Sequence, residues 1–152
     1  MQAKSIKGNS PEEIKTALQE SMADAGRPER QGFKPTLAIV FISVKQDKNA
    51  VCEILTAAGI DCIGATSCHE FTDGNQTEGA IAVLLLDIHK SNYAVLVEDI
   101  AERTITEAAT HLSAAALQKF SHPSLIILST SIMETGAMLD GETLIRGIEK
   151  AI

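Results

Sequence analysis

The stretch "TLAIVFISVKQDKNAVCEILTAAGIDCIGA", residues 36–65, decides the fold class. Its first nine residues are largely β-branched and apolar at both alternating sets of positions, which predicts an interior strand buried on two faces. Ala50, Val51, Ile54, Leu55 and Ala58 then recur at helical spacing, so 47–58 reads as an amphipathic helix ended by Gly59. "IDCIGA" returns to strand character. Strand, helix and strand in so short a span predict a βαβ unit, with parallel strands and a right-handed crossover.

Toward the N-terminus, Ser10 is placed to cap a helix, with Pro11 in its first turn and Glu13 three positions after the cap. Ile14, Ala17, Leu18, Ser21 and Met22 fall on one face. This predicts a helical lead-in over 10–25, followed by a loop over 26–35 where "AGRPERQGFKP" mixes glycine, proline and charge. Toward the C-terminus, "GAIAVLLLDI" (79–88) and "NYAVLVEDI" (92–100) read as strands, and the short "HKSN" between them predicts an antiparallel hairpin. A helix follows over 103–120 with Ile105, Ala108, Ala109, Leu112, Ala116 and Phe120 inward. "HPSLIILSTS" (122–131) reads as a further strand, and a last helix starts from Asp140. The expected architecture is α/β: a mixed β-sheet with a βαβ unit and an antiparallel hairpin, helices packed on the sheet. It forms a single domain over 1–152 whose sheet core is 36–152.

Composition narrows the function classes. At 45% hydrophobic residues, a chain of 152 can bury one sizeable core, built from Ile, Leu, Val and Ala because only 3% is aromatic. The formal charge of −7 speaks against nucleic acid or an anionic membrane as partner, since both need a basic face. The lysines of "MQAKSIKGNS" have no apolar run behind them, and "AIAVLLL" is far too short to span a membrane. Cys52, Cys62 and Cys68 show neither CxxC nor zinc spacing, so reduced thiols in a cytoplasmic protein are expected. No GxxxxGK or GxGxxG occurs, so neither a phosphate loop nor a cofactor is expected.

The chemistry concentrates in "IGATSCHEFTDG", residues 63–74. Ligands of open α/β sheets collect beyond the carboxyl ends of parallel strands. The expected exits are Ser43, then Thr66, Ser67 and Cys68, then Ser129, Thr130 and Ser131. Small side chains and free backbone N–H groups at these exits would suit a small polar ligand, with Glu70 available to an ammonium group. The alternative is that Ser and Thr are simply common where strands end. Cys68, His69 and Glu70 suggest a nucleophile, base and acid, but consecutive extended residues point to opposite faces. A thiol enzyme built on Cys68 would need a distant partner such as His111 or His122. No metal-ligand spacing is present. Cys52 and Cys62 read as small core residues, and Glu98 and Asp99 as solvated carboxylates.

"KPTLAIVFISVKQD", "GIDCIGATSCHEFTDG", "EGAIAVLLLDI" and "DGETLIRGIEKAI" together resemble the N-terminal half of the FIST domain, over most of the chain from Lys34 onward. The resemblance implies a sensory, signal-transduction module without catalytic residues, binding a small ligand, with an amino acid as the candidate. Its strand-to-turn motif maps onto Gly64, Ala65, Thr66, Ser67, Cys68, His69 and Glu70, to which the strand-exit reading adds Ser129, Thr130 and Ser131. The implied partners are the small-molecule ligand, a downstream signalling protein and a second copy of the chain. An interaction scaffold without ligand is the other reading. Two departures stand out. His69 occupies a position where similar sequences usually carry glycine, and the family continues past "GIEKAI" into a second half.

Overall fold

The computed structural model describes residues 1–23, 32–72, 74–100, 103–132 and 136–152. The chain divides into two compact units, Met1–Tyr93 and Ala94–Ile152.

In the first unit the expected βαβ core is present. After a first strand β1 (Gln2–Gly8), strand β2 (Leu37–Ser43) leads through α2 (Lys48–Ala57) into β3 (Asp61–Ser67). The two strands pair in parallel, from Leu37 opposite Asp61 to Ser43 opposite Ser67. Asp47 caps α2, its carboxylate accepting from the Asn49 and Ala50 N–H groups. Gly59, at φ +75°, supplies the left-handed turn that ends it. The lead-in helix α1 (Pro11–Ala23) forms as expected, with Ser10 Oγ accepting from the Glu13 N–H and Ile14 and Leu18 buried. The end of the expected 10–25 helix and most of the 26–35 loop lie outside the described residues.

Two strand pairings differ from expectation. Gln2–Gly8 is a strand, β1, and it pairs antiparallel with β6 (Ile81–Asp87). On its other side β6 pairs antiparallel with β2, giving the order β1-β6-β2-β3. Both edges of β6 are therefore used, so 92–100 cannot pair with it and the expected hairpin between 79–88 and 92–100 does not form. The chain instead takes one 3-10 turn at Lys90–Asn92. Tyr93 then ties back across the strand starts. Its hydroxyl lies 2.7 Å from both the Thr36 carbonyl oxygen and Asp61 Oδ2, one O–H shared between two acceptors. Tyr93 and the Lys90 ammonium hold the Asp61 carboxyl below its usual range, while burial and the facing carboxylate push the Tyr93 phenol up. The antiparallel hairpin that does exist is smaller: β4 (Glu70–Thr72) with β5 (Asn75–Thr77), turning at Gly74, φ +82°.

Side-chain alternation divides the sheet into two faces. Ala38, Val40 and Ile42 of β2 and Ile81, Val83 and Leu85 of β6 form the core with Ile6, Ile14, Leu18, Phe33, Val51, Leu55 and Ile60. Both helices of this unit thus contribute to the core on one face. The edge strand β3 lies close against β2: a Cβ on Gly64 would run into the Val40 carbonyl oxygen.

The second unit is built on two helices. In α3 (Ile105–Lys119), Thr104 and Glu107 form a reciprocal capping box. The Thr104 backbone N–H and hydroxyl bonded to the Glu107 carboxyl hold it below its usual range. In α4 (Gly141–Glu149), Asp140 caps the Thr143 N–H, as expected from sequence. The helices meet where Gly147 faces Ala109, a Cβ there lying 2.7 Å from the Ala109 Cβ. The expected strand 122–131 is absent: the described residues of this unit offer only a single bridge, Ile132 opposite Met138. A strand persists only where a neighbour takes up its N–H and C=O groups. Glu98, expected as a solvated carboxylate, is largely covered and pairs with Arg103 at 2.8 Å and His111 at 3.3 Å.

Candidate functional site

The face of the sheet opposite the core is apolar and open. Successive registers place Ser5, Leu84, Ile39 and Ile63 in one row across the four strands, and Lys7, Ala82, Phe41 and Ala65 in the next. Phe41 is 42% exposed and Leu84 is 37% exposed. A depression of about 290 Å³ lies on this face, with Ile39, Phe41, Ala82 and Leu84 as its apolar lining. Ser5, His69, Glu70 and Thr72 supply its polar groups, three of them from the segment that leaves β3.

Glu70 organises that segment. It is 1% exposed, and each carboxylate oxygen accepts one hydrogen bond: Oε1 from the Ser67 hydroxyl at 2.7 Å, Oε2 from the Ala80 N–H at 2.9 Å. Its carbonyl accepts from the Thr77 hydroxyl at 3.2 Å. The left-handed turn at Gly79, φ +81°, precedes Ala80, whose carbonyl accepts from the Ser43 N–H at 3.0 Å. One carboxylate therefore joins the end of β3, the β4–β5 hairpin and the start of β6. A buried carboxylate is tolerated because donors meet both oxygens. Its structural role differs from the expected one of facing an ammonium group.

The residues singled out from sequence fall in different local settings. His69 and Glu70 line the depression, and Ser67 touches it indirectly through Glu70. Gly64 serves the close approach of β2 and β3. Parallel register and alternation turn Ala65 and Ser67 to the open face and Thr66 to the other, so adjacent hydroxyls at this strand exit diverge. Cys68 is exposed and is not among the lining residues. Ser129, Thr130 and Ser131 are exposed and belong to the second unit, outside any strand. Thr130 is engaged locally, its hydroxyl donating to the Ile132 carbonyl at 2.7 Å.

Sequence reasoning missed Ser5, Ile39, Phe41, Thr72, Ala82, Val83 and Leu84. The signal was present in part: "TLAIVFISV" is apolar at alternate positions on both faces, and "TDGN" carries the Asp-Gly pair of a two-residue hairpin. The expectation that Cys52 is a core residue is also corrected. It is exposed on α2, while Cys62 is half-buried against the core. Among the described residues, no group of three or more His, Cys, Asp or Glu is arranged to hold a metal ion, and no helix is long and apolar enough to cross a membrane.

A mixed α/β sheet with helices in the core on one side and a shallow apolar hollow on the other defines a small α/β domain with a candidate ligand face. The family model described as FIST N domain matches residues 36–152, and the chain belongs to the FIST family of sensory, signal-transduction domains. The match begins after β1 and α1, although β1 is an edge of the same sheet. Neither a curated protein nor a solved structure matches the chain.

Proposed function

We propose that this chain is a non-enzymatic, cytoplasmic sensory domain whose small ligand seats in the depression on the open face of the sheet. The observation that carries the reading is the hollow of about 290 Å³, with apolar side chains from β2 and β6 and polar groups gathered on the 69–72 segment. That size and mixture suit a small molecule with an apolar body and a few polar atoms. An apolar amino acid fits the description: its side chain against Ile39, Phe41 and Leu84, its charged end toward His69, Thr72 and Ser5. Glu70 shapes the floor, since both of its oxygens already hold internal donors. The FIST membership supports a signalling output through a downstream protein.

Thermal denaturation of the full chain against a panel of free apolar amino acids tests this. A ligand at a hundred times its dissociation constant adds about 2.7 kcal/mol of stability, a readily measured rise in Tm. Phe41→Ser and His69→Ala should remove the rise without unfolding the protein. If no amino acid in the panel raises Tm, the reading fails. A second reading, a protein-docking face, is favoured by the exposure of Phe41 and Leu84. It predicts a stable dimer in sedimentation that Phe41→Asp dissociates.

A further inference from the structure

Cys52 on α2 and Cys62 on β3 are ten positions apart in sequence, and their Sγ atoms lie 3.9 Å apart with both thiols free. We propose that these two thiols form a reversible modification site, in which a low-molecular-weight disulfide converts the pair to an internal disulfide that fastens α2 to β3. The parallel alternation of β3 turns Cys62 to the helix side of the sheet, beneath α2, and the helix presents Cys52 above it at the surface. Closing the bond brings the sulfurs from 3.9 Å to about 2.05 Å.

The division of labour follows from exposure. Cys52 is open to solvent and meets the small disulfide first, while Cys62 is half-buried. Burial, with the neighbouring Cys52 sulfur and the Asp61 carboxylate adding to it, pushes the Cys62 thiol up, so Cys62 meets the reagent after Cys52. Cys52 gives its proton to solvent, and its thiolate attacks one sulfur of the reagent. A mixed disulfide forms and one small thiolate leaves, taking up a proton. Cys62 then loses its proton and attacks Cys52 Sγ, and the second small thiol departs. Two protein thiols are oxidised by two electrons, and one small disulfide is reduced to two thiols. Disulfides in reducing compartments are typically transient and sensory, as this one would be. The cross-link acts on β3, the strand that runs into Ser67 and the Glu70 cluster. The proposal is independent of which ligand the open face takes.

The test uses the full chain with oxidised glutathione, followed by alkylation and peptide mapping without reductant. The expected result is a Cys52–Cys62 cross-linked peptide and, in a Cys68→Ser background, a fall in alkylatable thiols from two to none, reversed by dithiothreitol. Cys62→Ser should stop at a stable glutathione adduct on Cys52, and Cys52→Ser should leave Cys62 largely unmodified. Cys68→Ser should leave the cross-link unchanged. Persistence of the glutathione adduct on Cys52 in the wild-type chain would overturn the proposal, as would modification confined to Cys68.

Discussion

Replacing Glu70 with alanine removes one carboxylate and, with it, the joint between three segments. The Ala80 N–H, on a residue only 2% exposed, loses its acceptor, and the Ser67 hydroxyl loses another. Hydrogen bonds to a charged partner contribute about 1.5–3 kcal/mol each in mutational series, solvation already included. The buried amide sits at the upper part of that range, and the half-buried hydroxyl, which can turn to water, near or below its lower end. Glu70→Ala should therefore cost about 3–4 kcal/mol. Glu70→Gln can still accept from Ala80 through its oxygen and donate to Ser67 through its amide, as neutral bonds, so it should lose only about 1–2 kcal/mol. The chain has one tyrosine and no tryptophan, and that tyrosine, Tyr93, is anchored to Thr36 and Asp61 in the same unit as Glu70. Urea unfolding followed by tyrosine fluorescence therefore reads this unit. Hydrogen exchange at the Ala80 amide gives the local value, with protection falling by roughly a hundredfold in the alanine variant. Equal behaviour of the alanine and glutamine variants, or unfolding of the alanine variant within about 0.5 kcal/mol of wild type, would refute this role for Glu70.

Four further outcomes follow from the packing and charges. Gly64→Ala should destabilise the first unit by about 1–3 kcal/mol in the same urea assay, because the new Cβ collides with the Val40 carbonyl oxygen across the β2–β3 pair. Gly147→Ala should lower the melting temperature of the helical circular dichroism signal despite the better helix propensity of alanine, since its Cβ would meet that of Ala109 at 2.7 Å. Ser113 is fully buried with no partner for its hydroxyl among the described residues, so Ser113→Ala should leave stability unchanged or raise it by about 1 kcal/mol in thermal melts. The Asp61–Tyr93 pair sets two pH limits. Asp61 is depressed in the folded state, so its contribution is present above about pH 4 and is lost as pH falls through the folded value. Tyr93 is raised, so its contribution is present below about pH 10 and is lost as pH climbs toward the folded value. Tyr93→Phe should flatten both limbs of a stability profile measured by circular dichroism.

The four α-helices among the described residues were legible in the chain, as were two of their caps, because a helix closes its hydrogen bonds within four residues and its caps act within three. Asp140 and Ser10 announced their roles by position alone. The βαβ unit was legible for a related reason: a helix between two strand segments carries the chain back to the end where the first strand began, so the second runs parallel to it. The candidate site was read less completely. His69, Glu70 and Ser67 were picked out as a polar cluster, but their alternate directions were visible only once the register of β3 was known. Ile39 and Phe41 read as buried because an apolar run looks the same whether its second face is covered or open.

What this sequence determined by itself is therefore local: which segments are helical, where they start, and that a mixed α/β sheet must result. Strand partners were decided by tertiary structure, because a ladder satisfies backbone groups that lie far apart in the chain, as Gln2 and Asp87 do. With β1 on one edge of β6 and β2 on the other, residues 92–100 do not pair with that strand. That choice, together with the burial of α1 and α2 against one face only, is what leaves the apolar hollow beside His69 and Glu70.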